Sequence, residues 1–137
     1  MRMVAVCLRP GDDLRTAIEA VVREYKITAG TVISCVGALK SARLRMAGTG
    51  REQQDIHDFA GPFEILSLVG NVGQGRTHLH LTVADRMGKV IGGHLKDGGT
   101  IIDITAELVV AVEDRLRFTE HYDAAVGWDN LVIEEAA

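Results

Sequence analysis

The sequence predicts an α+β domain in which one principal amphipathic helix near the N-terminus packs on a mainly antiparallel sheet. Only one segment, 12–25, places apolar residues at helical spacing. Nearly all of the chain after it consists of short aliphatic runs separated by glycine-containing turns, and one helix followed by hairpins is typical of the α+β class. At 137 residues the chain fits a single domain, 1–137, with no visible internal boundary.

The first strand and the helix follow from local patterns. Residues 3–8 alternate well enough to form a strand, which Pro10 and Gly11 end. Asp12 or Asp13 can cap the helix that follows, and the helix is expected to extend to about residue 25. The apolar stripe that should pack on the sheet consists of Leu14, Ile18, Val21, Val22 and Tyr25.

The rest of the chain is predicted to be mostly strands. Turn signals at 37–39, 48–50, 70–75 and 97–99 separate them. The glycine-rich segment 70–75 lacks the Gly-Lys-Ser/Thr and the helix of a phosphate-binding loop, so we interpret it as a flexible hairpin loop leading into His78. The expected strands are 30–36, 41–47, 63–69, 77–84, 89–94, 101–112 and 116–119, and 130–133 can add a last one.

The composition limits the classes of function. Only three Phe, two Tyr and one Trp are present, so the core must be aliphatic. Nineteen acidic against fifteen basic residues give a net charge of −4, which disfavours a strong nonspecific hold on nucleic acid. Two groups of arginines, Arg43, Arg45 and Arg51, and Arg115 and Arg117, are interpreted as solvated strand edges, with a local basic patch as the alternative.

The cysteines and the N-terminal residues indicate neither export nor a membrane anchor. Cys7 and Cys35 are far apart in sequence and are interpreted as small buried apolar residues. The first strand meets Pro10 too early for a signal peptide, and no run approaches the length of a membrane span. The sequence therefore predicts a cytoplasmic protein with no membrane partner.

Three of the five histidines lie close together in sequence and have the spacing of metal ligands. Alternate residues of a strand point to the same side, so His78 and His80 should share one face while the leucines between them pack on the other. His94 lies on the expected partner strand. Neutral imidazole binds zinc and other divalent transition metals. A lone His-x-His pair more often only forms hydrogen bonds, but the third histidine favours a metal site.

The register between the two strands decides whether His94 can join the other two histidines. A plain four-residue loop, 85–88, would place His94 opposite Leu79, on the wrong face. Either a five-residue loop or a bulge at Gly92-Gly93 would bring His94 opposite His80. We expect one of these two irregularities.

Two carboxylates in apolar strands are candidate catalytic groups. Glu64 and Glu107 can each orient a metal-bound histidine, act as a general base towards a metal-bound water, or face solvent or a neighbouring subunit. The structural options are favoured over the catalytic one. His57 and His121 lack ligand spacing and are interpreted as solvated loop residues. The sequence has no Gly-x-Ser-x-Gly elbow and no convincing Cys-His pair, so covalent nucleophilic catalysis has no support.

Three separate blocks of sequence form a recognisable set. They are Gly30-Thr31-Val32-Ile33-Ser34-Cys35-Val36-Gly37-Ala38-Leu39, Gly61-Pro62-Phe63-Glu64-Ile65-Leu66-Ser67-Leu68-Val69-Gly70, and His78-Leu79-His80-Leu81 with Gly88 and Gly92-Gly93-His94. Together they resemble the plant-and-prokaryote-conserved (PPC) domain. Their order and spacing run through almost the whole chain, which makes the resemblance specific.

The resemblance implies a small α+β subunit that forms a homotrimer with a pocket near the subunit interfaces. It implies that His78, His80 and His94 are metal ligands, as in the metal-containing members of the prokaryotic branch. It also places Phe63, Glu64 and Ile65 in the strand that plant members use for partner interactions, so this segment is a candidate partner-binding site.

The function favoured at this point is a cytoplasmic, homotrimeric PPC-domain protein that binds a divalent metal, with zinc favoured. It would act as an assembly or partner-binding module, binding a protein or a small molecule at the subunit interface, with transcriptional regulation as one candidate role. The alternative is a metal-dependent enzyme of hydrolase or lyase type that uses a metal-bound water. DNA binding ranks third. In the plant members that this sequence resembles, DNA binding is a property of a separate basic AT-hook outside the PPC domain. This sequence does not contain an AT-hook.

Overall fold

The computed structural model of the protein describes residues 1–136, which form one helix and eight strands. The elements in chain order are β1 (Arg2–Leu8), α1 (Leu14–Glu24), β2 (Gly30–Arg45), β3 (Ile56–Gly73), β4 (Arg76–Ala84), β5 (Val90–Leu95), β6 (Ile102–Val112), β7 (Leu116–Asp123) and β8 (Trp128–Glu135). The fold is therefore mostly sheet with one short helix near the N-terminus, as the sequence predicts. No helix within residues 1–136 is long and apolar enough to cross a membrane.

The strands form one large antiparallel sheet and one separate hairpin. The large sheet has the order β1-β6-β2-β3-β4-β5, and β5 also pairs with β2 at Arg45 and His94. That second pairing closes β2, β3, β4 and β5 on themselves, so their inner faces enclose apolar side chains and their outer faces are left for other contacts. The hairpin β7–β8 forms a separate two-stranded sheet, and its Phe118 amide donates to the carbonyl of Thr28 just before β2.

The helix α1 is fixed to the rest of the domain through Asp13. Its carboxylate accepts hydrogen bonds from Thr16 N and Thr16 Oγ1 at the helix start, and from Gly99 N and Thr100 N in the loop before β6. The predicted apolar stripe is buried, except that Tyr25 is the C-cap residue and is 38% exposed. One side chain thus caps the helix and holds a neighbouring loop.

Replacing Asp13 with alanine should lower the free energy of unfolding by about 1–2 kcal/mol, the usual cost of losing an N-cap. Two further backbone amides lose their acceptor, so we expect the upper end of that range. Urea unfolding followed by circular dichroism measures the effect. Asp12→Ala is the matched control, because Asp12 is exposed and contributes only backbone hydrogen bonds. Equal losses in both variants would contradict the role of the Asp13 carboxylate.

The same carboxylate should give the protein a defined loss of stability in acid. Burial alone would raise the pKa of Asp13, but the hydrogen bonds from Thr16, Thr100 and Gly99 outweigh burial and hold it below its usual value. A carboxyl whose pKa is lower in the folded state stabilises it above the unfolded pKa of about 3.9, and that contribution disappears as pH falls through the folded value. The unfolding free energies of wild type and Asp13→Ala should therefore converge once the pH falls below the folded-state pKa of Asp13.

Two of the predicted turns, 37–39 and 70–75, are wrong, because their glycines allow neighbouring strands to pack closely. The segment 37–39 lies inside the continuous strand β2, where a Cβ at Gly37 would overlap the carbonyl oxygen of Thr105 on β6. The predicted loop 70–75 is mostly strand as well, since β3 extends to Gly73 and a Cβ at Gly70 would overlap the carbonyl of His78. Only two residues, 74 and 75, connect β3 to β4.

The connection between β4 and β5 has the length that the metal-site prediction requires. Ala84 pairs with Val90, which leaves a five-residue loop, and His80 pairs with His94. The ladder is regular through Gly92-Gly93, so the alternative of a bulge there is wrong. The Asp85 side chain accepts hydrogen bonds from the amides of residues 87 and 89 and stabilises the loop.

The core is aliphatic, as the composition predicts. Its largest fully buried side chains are Leu14, Ile18, Ile27, Leu39, Leu44, Leu79, Leu81, Leu95, Ile102, Leu108, Val72 and Val83. Cys35 is buried, and burial raises the pKa of its thiol to about 11, but the prediction that Cys7 is also buried is wrong. Cys7 lies on the outer face of β1.

Candidate metal centre

The strands β4 and β5 bring the three predicted histidines together on the outer face of the sheet. His78 and His80 alternate with the buried Leu79 and Leu81, and His94 lies opposite His80. One ring nitrogen from each histidine lies within 4.8 Å of the other two. The ring centroids are 5.1 Å apart for two of the pairs and 5.7 Å apart for His80 and His94.

The chemical state of these rings suits a metal ligand. Burial, followed by the positive charge of Arg45, lowers the pKa of His94 to about 3. Burial, followed by Arg76, also lowers the pKa of His78. Both rings are therefore neutral at pH 7, which is the form that binds metals. The buried Nδ1 of His94 has no hydrogen-bond partner among residues 1–136, so an ion or a ligand could satisfy it. The donor set fits a divalent transition metal.

Arg76 holds His78 in the cluster. Its guanidinium is almost fully buried and donates to Asn71 Oδ1 at 2.7 Å, to Glu120 Oε2 at 3.0 Å and to His78 Nδ1 at 3.1 Å. An arginine has no acceptor, so His78 Nδ1 must accept, and in the neutral ring Nε2 then carries the proton. A metal that binds either nitrogen of His78 must therefore break or rearrange the contact with Arg76.

Replacing Arg76 with methionine should raise zinc affinity while lowering stability. The substitution removes a positive charge beside the three imidazoles and frees the lone pair of His78 Nδ1. It also leaves the polar groups of Asn71 and Glu120 without their donor, which should cost roughly 1–3 kcal/mol. Competition with a chromophoric chelator and urea unfolding measure the two effects. Weaker zinc binding in a folded Arg76→Met protein would show that Arg76 supports the site instead.

A cleft of about 320 Å³ lies beside the histidines, and the hairpin β7–β8 forms one of its walls. Two arginines contact aromatic rings of the hairpin there, in addition to the ion pair between Arg76 and Glu120. Arg45 stacks over the Trp128 ring at 4.2 Å, while Arg51 stacks over the Tyr122 ring at 4.8 Å and pairs with Asp129 at 3.5 Å. The interpretation as a solvated strand edge is therefore wrong for Arg45, whereas Arg51 remains exposed to solvent but lies outside the strands. The charged side chains lining the cleft, histidines apart, are Arg15, Arg45, Arg51, Arg76, Lys96, Glu120 and Asp129.

The predicted carboxylates lie away from the histidine cluster within one protomer. Glu64 is exposed and pairs with Ala84, which is four residues, or roughly 13 Å, along β4 from His80. Glu107 is exposed on β6, and β2 and β3 lie between β6 and β4. Glu120 is the carboxylate that reaches the cluster, through its ion pair with Arg76.

The predicted partner-binding segment is only partly accessible in the protomer. Phe63 and Ile65 are 5% and 6% exposed and belong to the core, so only the side chain of Glu64 is free to contact a partner. Neither His57 nor His121 joins the cluster. Both lie in strands rather than in the predicted loops, opposite Leu44 on β2 and Asn130 on β8.

Sequence reasoning missed several residues of the cleft. Arg76 had a signal, because it alternates with His78 and His80 and so had to share their face of β4. Lys96 likewise follows His94 by two residues. Glu120 and Trp128 had no such signal, since they reach the cleft only through the position of the hairpin.

Comparisons with known proteins show the same fold and the same family. A family model described as the Plants and Prokaryotes Conserved (PCC) domain matches residues 1–114, so the hairpin β7–β8 lies beyond the match. Two Synechococcus proteins named bifunctional protein GlmU are each 39% identical over the whole chain, which spans only 21% of their length.

Two solved structures are similar over nearly their whole length. A hypothetical protein from Salmonella enterica is 33% identical with a TM-score of 0.90, and the match covers 99% of this chain and 95% of that one. A metal-containing protein from Archaeoglobus fulgidus is 26% identical with a TM-score of 0.79, covering 96% of this chain and 94% of that one. One structurally similar protein is thus described as containing a metal.

Proposed function

This chain belongs to the Plants and Prokaryotes Conserved domain family, and we propose that it binds one divalent transition metal ion per protomer as a homotrimeric module. The observation that carries the metal site is the set of three imidazole nitrogens within 4.8 Å of one another. The metal-containing relative from Archaeoglobus fulgidus supports it. An all-imidazole donor set suits zinc, which is the metal we favour.

Three histidines would hold the ion, and the metal would supply Lewis acidity beside the cleft. Protein expressed without a histidine tag and purified without chelators should contain close to one equivalent of metal per chain by elemental analysis. The same preparation of His80→Ala should contain little. Equal metal content in both proteins would exclude this site.

The proposal of a homotrimer is supported by apolar side chains on the outer face of the large sheet. Met3, Val36 and Val69 point outwards by strand register, and three more are exposed at register irregularities. A soluble protomer rarely leaves so many large apolar side chains exposed on one sheet face unless they contact a partner. We call this set the apolar face: Met3 (70% exposed), Ile33 (59%), Val36 (59%), Leu66 (54%), Val69 (63%) and Ile104 (74%).

Ile104 is the most unusual member of the apolar face. Its φ of 64° lies in the left-handed region, which is unfavourable for a β-branched residue by about 1–2 kcal/mol. The side chain of Ile104 is 74% exposed, so within one protomer its burial contributes little free energy to offset the backbone strain. Burial of Ile104 against a second copy of the chain would offset that cost.

The apolar face borders the proposed metal site. Val69 on β3 pairs with His80 on β4, so a subunit packed on this face would lie next to the exposed ring of His80. A protein partner or a small molecule at the subunit interface would then contact the metal site and the cleft together. DNA binding is not part of the proposal, because the net charge is −4 and the chain has no AT-hook.

A second candidate function is a metal-dependent enzyme of hydrolase or lyase type. The observation that favours it is the cleft beside His78 and His94, which has room for a small substrate and is lined by Glu120. The zinc-loaded protein should then hydrolyse a member of a panel of activated carboxylic and phosphate esters, and His94→Ala should lose that activity. An undiminished rate in His94→Ala would exclude the metal site as its source.

A further inference from the structure

Two positively charged side chains flank His94 on the outer face of the sheet. Arg45 pairs directly with His94 across β2 and β5. Lys96 follows His94 by two residues, so it projects from the same side, and its backbone amide donates to the carbonyl of Arg43. Arg45 and Lys96 therefore lie on the histidine side of the cleft, and both line it.

Neither of these two side chains forms an ion pair among the described residues, although the carboxylate of Asp97 is near enough to attract Lys96. The other three cations of the cleft are paired, Arg15 with Glu19 at 3.7 Å, and Arg51 and Arg76 with the hairpin carboxylates described above. Within residues 1–136, no ion pair involves Arg45 or Lys96. Both side chains line the same cleft, so an anion bound between them would be attracted by two positive charges at once.

The side chain of Arg45 is already oriented for an anion. Its guanidinium carbon lies 4.2 Å from the centroid of the Trp128 ring, and this cation–π contact restricts the side chain. Because no ion pair within residues 1–136 involves this guanidinium, its N–H groups can donate to a carboxylate or a phosphate. Less side-chain entropy is then lost when the ligand binds.

The size of the cleft favours a small ligand over a macromolecule. Its volume of about 320 Å³ is at the lower end of the range for small-molecule sites. Its positive charges are grouped around one cleft, whereas binding to a duplex requires cations spread along an extended surface.

We propose that this cleft binds a small organic oxyanion, a carboxylate or a phosphate, through Arg45 and Lys96. The hairpin β7–β8 forms the opposite wall through Trp128 and fixes Arg45. The subsite adjoins the proposed metal site but needs no metal ion, so the two can be tested separately.

Calorimetric titration of chelator-treated, full-length protein with inorganic phosphate and with malonate tests the proposal. We expect saturable binding of at least one anion, and roughly tenfold weaker binding in Arg45→Gln and in Lys96→Gln, the effect of one lost charge-assisted contact. Arg86→Gln and Lys89→Gln are the matched controls, because these residues are exposed in the β4–β5 loop, and they should bind as wild type does. Tighter binding of phosphate would indicate a phosphate ester as the ligand, and tighter binding of malonate a carboxylic acid.

Three outcomes would overturn the proposal. They are no saturable binding of either anion, equal binding in wild type and both cleft variants, and binding that appears only after zinc is added and is unaffected by both variants. The last outcome would not contradict the proposed metal site, and it would show that the metal ion itself binds the anion. Arg45→Gln removes the contact with Trp128 and so could also displace the hairpin. Lys96→Gln does not remove that contact, so weaker anion binding in this variant reports on the lost charge alone.

Discussion

Replacing His94 with alanine should weaken zinc binding by more than about 100-fold and leave the protomer folded. Loss of a group that only supports a ligand already costs 10–100-fold in metal affinity, so the loss of a ligand itself should cost more. His94 is central because it lies opposite His80 and 5.1 Å, ring to ring, from His78. Its side chain points away from the aliphatic core, so the substitution removes little core packing. Competition with a chromophoric zinc chelator measures the affinity.

His57→Ala and His121→Ala are the matched controls for this prediction. Both residues lie in strands and belong to no group of potential metal ligands within residues 1–136. They should bind zinc as wild type does. If His94→Ala bound zinc as tightly as these controls, the metal would be held elsewhere on the chain.

Replacing Val36 with lysine should dissociate the proposed trimer. Val36 is 59% exposed on the apolar face and pairs across strands with Glu107 on β6. In the protomer the new ammonium group would lie beside that carboxylate, so it should not destabilise the fold. In an assembly it would be buried among apolar side chains, which is strongly unfavourable. Sedimentation velocity should show wild type at three times the 14.8 kDa of one chain and Val36→Lys at a single chain's mass.

Val126→Lys is the matched control for the effect on assembly. Val126 is similarly exposed, at 57%, but lies in the turn of the hairpin and away from the apolar face. It should remain a trimer. A wild-type protein that sediments as a monomer, or a Val36→Lys protein that stays trimeric, would contradict assembly through this face.

Local sequence patterns were enough to predict the helix and the faces of β4, and they limited the N-cap of the helix to Asp12 or Asp13. The apolar spacing after Asp13 and the alternation of His78 and His80 with leucines depend only on neighbours in sequence. The prediction that His94 lies opposite His80 is also confirmed, because the register of a hairpin depends on only a few loop residues. The side chain of Asp85 stabilises the five-residue loop by accepting two backbone hydrogen bonds within it.

The features that the sequence could not reveal all depend on contacts between distant segments. Gly37 and Gly70 looked like turn residues, but each allows the close approach of a strand that lies far away in sequence or across a hairpin. Arg45 meets His94 only because β5 pairs with β2 as well as with β4. The wall that Trp128 forms depends on how the hairpin packs against the sheet.

A crystal structure of the zinc-loaded protein with anomalous data at the zinc edge tests the central claim most directly. We expect one anomalous peak per protomer, about 2.0–2.1 Å from a ring nitrogen of each of His78, His80 and His94. The Arg76 contact with His78 Nδ1 should be broken or rearranged in that structure. A protein that takes up zinc at other residues, with the three imidazoles left uncoordinated, would contradict the claim.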